Sequence, residues 1–203
     1  LDNFDALAHA LTTISTGGYS TKDASIGYFA GYGPSFIAVL FMLLGSLPFI
    51  TYLKMVRGNQ RAFIEDPQIK WFLLAVGFCI GATYLFLEYT YHFAPLDALK
   101  YASLNVISLI TGTGYANYNY NLWGPFFMCF SFFFMMMGGC AGSTTCGIKI
   151  FCFQVLATVV WSQIRKTIFP HGVFIPRYNH RLITSEISLS VMSFFFLYAT
   201  SFL

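Results

Sequence analysis

The sequence predicts an all-α polytopic membrane protein in which full spans alternate with half-length helices that enter the membrane and turn back. Three observations lead there. Of 203 residues, 57% are hydrophobic and only 9% are Asp, Glu, Lys or Arg, against roughly 25% charged in an average soluble domain. So few charges cannot cover a globule with solvated side chains, which excludes a soluble enzyme and a disordered chain alike. The apolar residues are gathered into runs of membrane-crossing length. Two shorter, more polar segments each run into a Gly/Thr tract, and the two tracts resemble one another.

The first segment, Asn3 to Ser15, has about half the helix length needed to cross a bilayer. It leads into Ile14-Ser15-Thr16-Gly17-Gly18-Tyr19-Ser20. Pro34 to Leu53 follows, about 30 Å as helix, with Pro48 expected to kink it. The next span is Ile69 to Phe93, whose Glu88, near one end with His92, reads as an interfacial carboxylate rather than a buried functional acid. A second half-length segment, Pro95 to Ile110, starts with Pro95 and Asp97, both favourable at a helix N-terminus. It enters Ile110-Thr111-Gly112-Thr113-Gly114-Tyr115-Ala116.

Leu122 to Met137 is too short to cross alone and meets Gly138-Gly139-Cys140-Ala141-Gly142-Ser143-Thr144-Thr145-Cys146-Gly147. An apolar stretch, Ile148 to Trp161, resumes beyond it. Irregular backbone at membrane depth survives only where protein buries it or water reaches it. Small residues also serve close helix packing, yet four glycines with Ser and Thr in ten residues exceed that need. The segment is therefore read as a true break in the helix. GSTTCGIK within it lacks the Lys-Ser/Thr order of a phosphate loop and follows a helix rather than a strand, so phosphate binding is rejected. A basic stretch, residues 162–181, is expected on the inner membrane surface, its start an amphipathic helix and its His171 and His180 loop residues. Ile183 to Leu203 supplies the last span.

Nine of the 11 basic residues fall in two groups, Lys54, Arg57, Arg61 and Lys70, and Lys149, Arg165, Lys166, Arg177 and Arg181, with Lys22 and Lys100 apart from them. The positive-inside rule puts both groups on the cytoplasmic side. A net charge of +3 carries no indication of nucleic acid. The five cysteines have neither CxxC spacing nor a following zinc-type histidine pair, and read as small apolar residues.

The two tracts align at a shift of 96: Ile14 with Ile110, Ser15 with Thr111, Gly18 with Gly114 and Tyr19 with Tyr115. Each is followed, after a polar loop, by Gly-Pro opening an apolar run, Gly33-Pro34 and Gly124-Pro125. The unit is half-helix, tract, span, repeated within the chain. An ion entering a narrow pore needs its hydration shell replaced, and backbone carbonyls can do so where glycines permit tightly turned backbone. A half-helix aiming its C-terminal end at the site adds about half a negative charge, which favours a cation. Convergent titratable groups of an enzyme are lacking. A membrane scaffold or assembly subunit whose glycines serve packing is the alternative reading.

TTISTGGYSTKDASIGYF, VISLITGTGYANY and GGCAGSTTCGIK, in this order, resemble the Trk/Ktr/HKT superfamily of potassium transporters, most closely its TrkH branch. The segment HGVFIPRYNHR is similar to the cytoplasmic loop before the fourth repeat in that branch. The resemblance covers essentially the whole chain. It implies membrane–pore–membrane repeats around one pathway, two of four being represented. Residues 1–57 would be the end of repeat 2, 58–67 a cytoplasmic loop, 68–161 repeat 3, 162–181 a cytoplasmic segment and 182–203 the first span of repeat 4. It implies potassium uptake across a bacterial inner membrane without bond chemistry or a cofactor, K+ being the transported ion. The potassium filter would be Ser15, Thr16, Gly17, Gly18 and Tyr19 with Thr111, Gly112, Thr113, Gly114 and Tyr115, carbonyls 15–18 and 111–114 facing the ion. The gating loop would comprise Gly138, Gly139, Cys140, Ala141, Gly142, Ser143, Thr144 and Gly147, with Lys149 at its end. Thr145 and Cys146 stand where the family often has further Gly or Ser. A homodimer docked on a cytosolic nucleotide-binding subunit of TrkA type is the implied assembly.

Overall fold

The computed structural model describes residues 2–169, 171–179 and 181–201. Its helices, among the described residues, are α1 (Asn3–Ile14), α2 (Gly33–Gly45), α3 (Phe49–Val56), α4 (Ala62–Glu65), α5 (Pro67–Tyr91), α6 (Pro95–Thr111), α7 (Gly124–Met136), α8 (Ile150–Ile168) and α9 (Ser185–Thr200). The chain divides into two compact units, Leu1–Gly147 and Ile148–Leu203. His180, expected in a loop, lies outside the described residues.

In the first unit, both expected half-helices are present as α1 and α6. The expected second span is α5, which is 25 residues long and starts with Pro67 at its first turn and Asp66 as N-cap, its carboxylate accepting the Gln68 amide at 2.9 Å. Among the described residues α5 is the single unbroken helix long and apolar enough to cross a membrane. It packs against α6, which also packs on α2 and α7. Ten of the 17 residues of α6 are buried, against three of 12 in α1, so α6 is the central element of this unit.

The expected kink at Pro48 is a complete break. α2 ends at Gly45, α3 begins at Phe49, and their axes diverge by 86°. Proline at residue 48 lacks an amide donor and disfavours helical backbone before it. The last carbonyls of α2 are thereby freed for other partners. The third apolar run breaks as expected: α7 stops at Met136 and α8 starts at Ile150. α2 and α7 are each 13 residues long, and each opens on Gly-Pro.

In the second unit, α8 continues through Trp161 to Ile168, so the start of the basic stretch extends this helix rather than forming a separate surface one. Arg165 and Lys166 lie in its last turn, where cations meet the negative end of the helix dipole. A two-residue antiparallel pair, Arg177–Tyr178 with Arg181–Leu182, turns the chain toward α9. Val155, Val159, Ile183 and Val191 form the buried centre of this unit, and the Tyr178 hydroxyl donates to Gln154 Oε1 at 2.8 Å.

Candidate functional site: two glycine tracts and the loop beneath them

The two half-helices end in the same hydrogen-bonded cap. After α1, the Gly17 amide donates to Thr12 O at 2.8 Å and the Thr16 amide to Thr13 O at 3.1 Å. After α6, the Thr113 amide donates to Ser108 O at 3.0 Å and the Gly112 amide to Leu109 O at 3.3 Å. Each pair is a Schellman motif, with a left-handed residue where the helix stops: Thr16 at φ +51° and Gly112 at φ +70°. Two residues further on the backbone is left-handed again, at Gly18 (φ +70°) and Gly114 (φ +88°). All these positions are related by the shift of 96 seen in the sequence.

The tracts converge. A Cβ added to Gly18 would overlap the backbone carbonyl of Thr113, and Gly114 N lies next nearest. Only glycine allows this approach. Tyr115 ties the second tract to the first half-helix: its hydroxyl lies 2.5 Å from Thr12 Oγ1 and 3.2 Å from Thr13 Oγ1, and its ring is 2% exposed beside His9. Tyr19, its counterpart in the first tract, is 79% exposed.

Each tract is also held by its own half-helix. His9 Nε2 bonds Ser20 Oγ at 2.9 Å, and Thr21 Oγ1 donates to Asp5 Oδ1 at 2.7 Å, with Lys22 Nζ 3.5 Å from Asp5 Oδ2. In the second repeat Asn105 Nδ2 donates to Asn117 Oδ1 at 2.9 Å, and Asn117 Nδ2 donates to Lys100 O at 3.0 Å. His9 and Asn105 are themselves 96 residues apart. The tract motifs alone do not point to these anchors. The same shift relates His9 to Asn105 and Thr21 to Asn117, but their partners do not correspond.

Gly138 to Gly147 folds as a loop whose bonds reach the C-terminal ends of both half-helices. The Cys146 amide donates to Thr111 O at 3.2 Å, and Thr144 Oγ1 lies 3.2 Å from Ile14 O and 3.1 Å from Gly45 O. The Thr16 hydroxyl lies 3.0 Å from Thr144 O and 2.8 Å from its own neighbour's carbonyl, Ser15 O. The loop's seat is the break between α2 and α3. Thr144 N donates to Gly45 O, Cys140 N to Ser46 O and Phe49 N to Gly142 O, at 3.3, 3.0 and 3.0 Å. The Ala141 amide donates to Gln68 Oε1 at 2.9 Å. Within the loop, Thr145 Oγ1 takes the Gly139 amide at 2.9 Å, and Ser143 Oγ lies 2.6 Å from Cys140 O. Gly138 and Gly139 are required sterically: a Cβ on Gly138 would meet Cys146 O, and one on Gly139 would lie 2.8 Å from Ser46 O. Lys149 is the N-cap of α8 in the second unit. The break at Gly45–Phe49 and Gln68 are parts of the site that motif reading misses, because neither lies in a glycine tract.

The TrkH profile, described as a cation transport protein, matches residues 1–203. The chain belongs to the TrkH family. It is 36% identical over 195 residues to the Trk system potassium uptake protein TrkI of Halomonas elongata, covering 96% of this chain and 39% of that protein. Against the Trk system potassium uptake protein TrkG of Escherichia coli it is 32% identical over 200 residues, covering 96% and 40%. The crystal structure of the potassium transporter TrkH from Vibrio parahaemolyticus superimposes with a TM-score of 0.91 at 27% identity, over 97% of this chain and 43% of that one. The chain thus spans about two fifths of the relatives it matches. The fold read from the sequence, helical and of the TrkH type, is the fold found. As a member of a transport family the chain is not an enzyme.

Proposed function

We propose that the two tracts form half of a potassium-selective filter in a multi-pass protein of the bacterial inner membrane, and that Gly138 to Gly147 is its gate. The convergence of Gly18 on the Thr113 carbonyl carries this reading, because it brings peptide groups of both repeats to one locus. Left-handed backbone at alternate residues lets successive carbonyls turn to one side, and both half-helices direct their negative ends there. Selectivity would come from peptide dipoles, with no carboxylate in either tract. Thr111 O, assigned to the ion by the resemblance, is bonded by the loop amide of Cys146. In the gate reading, release of the loop frees this carbonyl and Ile14 O together. The names of the relatives support potassium as the ion and a multi-component Trk system. A homodimer with a cytosolic nucleotide-binding subunit of TrkA type fits that naming.

The test is Gly114→Ser in the complete protein. A Cβ there meets nothing within 4 Å, so the added hydroxymethyl would enter open space at the tract while φ +88° is strained. Uptake measured in cells lacking other potassium transport should show reduced preference for potassium over sodium. Unchanged preference would instead support the scaffold reading.

A further inference from the structure

The second unit holds a cavity of about 350 Å³ between the last turns of α8 and the chain that follows. Thr158, Trp161, Ser162 and Arg165 line one wall, spaced three, one and three residues apart so that they share one helix face. The extended stretch Val173–Arg177 lines the other. Two arginines therefore border one cavity whose lining contains no carboxylate. Among the described residues neither has a carboxylate within ion-pair distance, and the ion pair recorded there, Lys22–Asp5, belongs to the first unit. From residue 148 onward the sequence holds Lys149, Arg165, Lys166, Arg177 and Arg181 against Glu186 alone.

The rim of the cavity is apolar. Trp161 is 57% exposed with the Arg165 guanidinium 5.5 Å from its ring centre, Val173 and Ile175 of the lining are exposed, and so are Ile164 and Ile168 on the same stretch of α8. A Trp beside arginines near the end of α8, which the sequence reads as the second half of a broken span, on the side that the basic residues assign to the cytoplasm, fits headgroup level. Thr158 and Ser162 already donate their hydroxyl protons to Gln154 O and Val159 O, so their oxygens remain as acceptors and the cations dominate recognition.

The geometry points to a binding site for an anionic phospholipid, its phosphate between Arg165 and Arg177 and its acyl chains along the apolar rim. Basic pockets on the cytoplasmic side of membrane helices have this chemistry. A free phosphate ion shares the head chemistry but leaves Val173, Ile175 and Trp161 in water, and for that reason the lipid is assigned. The site is remote in sequence from the filter and does not depend on the filter reading.

The full-length protein in detergent is titrated with phosphatidylglycerol, phosphatidylcholine or inorganic phosphate, and binding is read by native mass spectrometry and thermal shift. Phosphatidylglycerol should bind and raise the Tm, with neither of the others reproducing it. Arg165→Gln with Arg177→Gln should weaken its binding by roughly 30-fold, at about fivefold per charge. Arg57→Gln with Arg61→Gln, an equal charge loss in the other basic group, should leave it unchanged, and Lys at both positions 165 and 177 should restore most of it. Equal binding of phosphatidylcholine, an equal effect of phosphate alone, or an undiminished response in the double Gln variant would each overturn the assignment.

Discussion

Gly18 and Tyr115 show how single side chains decide whether two repeats can meet. At Gly18 two demands coincide: φ +70° and backbone of the other tract where a Cβ would stand. At Gly114 only the first applies, since the space is open. Gly18→Ala should therefore cost more than Gly114→Ala, which carries only about 1–2 kcal/mol of left-handed strain. Thermal unfolding of the two variants in detergent checks the order, and equal loss of Tm would count against the contact between tracts. Tyr115 works by a different route, its hydroxyl bridging to Thr12 and Thr13 from a buried ring. Tyr115→Phe keeps the ring packing and removes the bridge, leaving the threonine hydroxyls with their bonds to Ala8 O and His9 O. A loss of about 1 kcal/mol is expected, seen as a lowered Tm with the helical circular dichroism unchanged.

Helix termination, rather than helix formation, governs the arrangement of elements. α1 and α6 stop in matching Schellman caps, α2 stops before Pro48, and α7 stops where Gly138 and Gly139 begin. Each stop leaves backbone carbonyls without helical partners. Those of α2 at Gly45 and Ser46 are taken by loop amides, and those of α1 and α6 at Ile14 and Thr111 by Thr144 and Cys146. The loop is thus seated on three helix ends at once. Thr144 contributes most through one side chain, reaching both Ile14 O and Gly45 O. Thr144→Val preserves shape and removes that donor. A loss of about 1 kcal/mol shifts the seated-to-released ratio by about fivefold. If the loop is the gate, basal potassium uptake rises accordingly. Unaltered uptake at equal protein level in the membrane would assign the loop a packing role.

The whole molecule exposes large apolar residues along α2, α5, α7 and α9, among them Leu74, Phe78, Phe126, Phe133, Phe196 and Leu197. Water could not surround that much apolar surface at tolerable cost, and a bilayer can. The protein should stay in the membrane pellet through alkaline carbonate extraction and leave it only with detergent; release by carbonate alone would contradict the membrane fold.

Much of this was legible in the linear chain because backbone habits are local. Half-length polar segments ending in Gly/Thr tracts specified α1 and α6, the shift of 96 related the two, and the glycines after Met137 marked the broken helix. Low charge and long apolar runs determined the class. The distance between the tracts was not legible, since Gly18 and Thr113 meet through packing of α6 on α2, a contact between residues far apart in sequence. Nor was the 86° turn at Pro48: a proline predicts a lost hydrogen bond, but how far the helix then bends depends on what the freed carbonyls find. Here they find the amides of the loop between α7 and α8, and only the tertiary structure places those amides within reach.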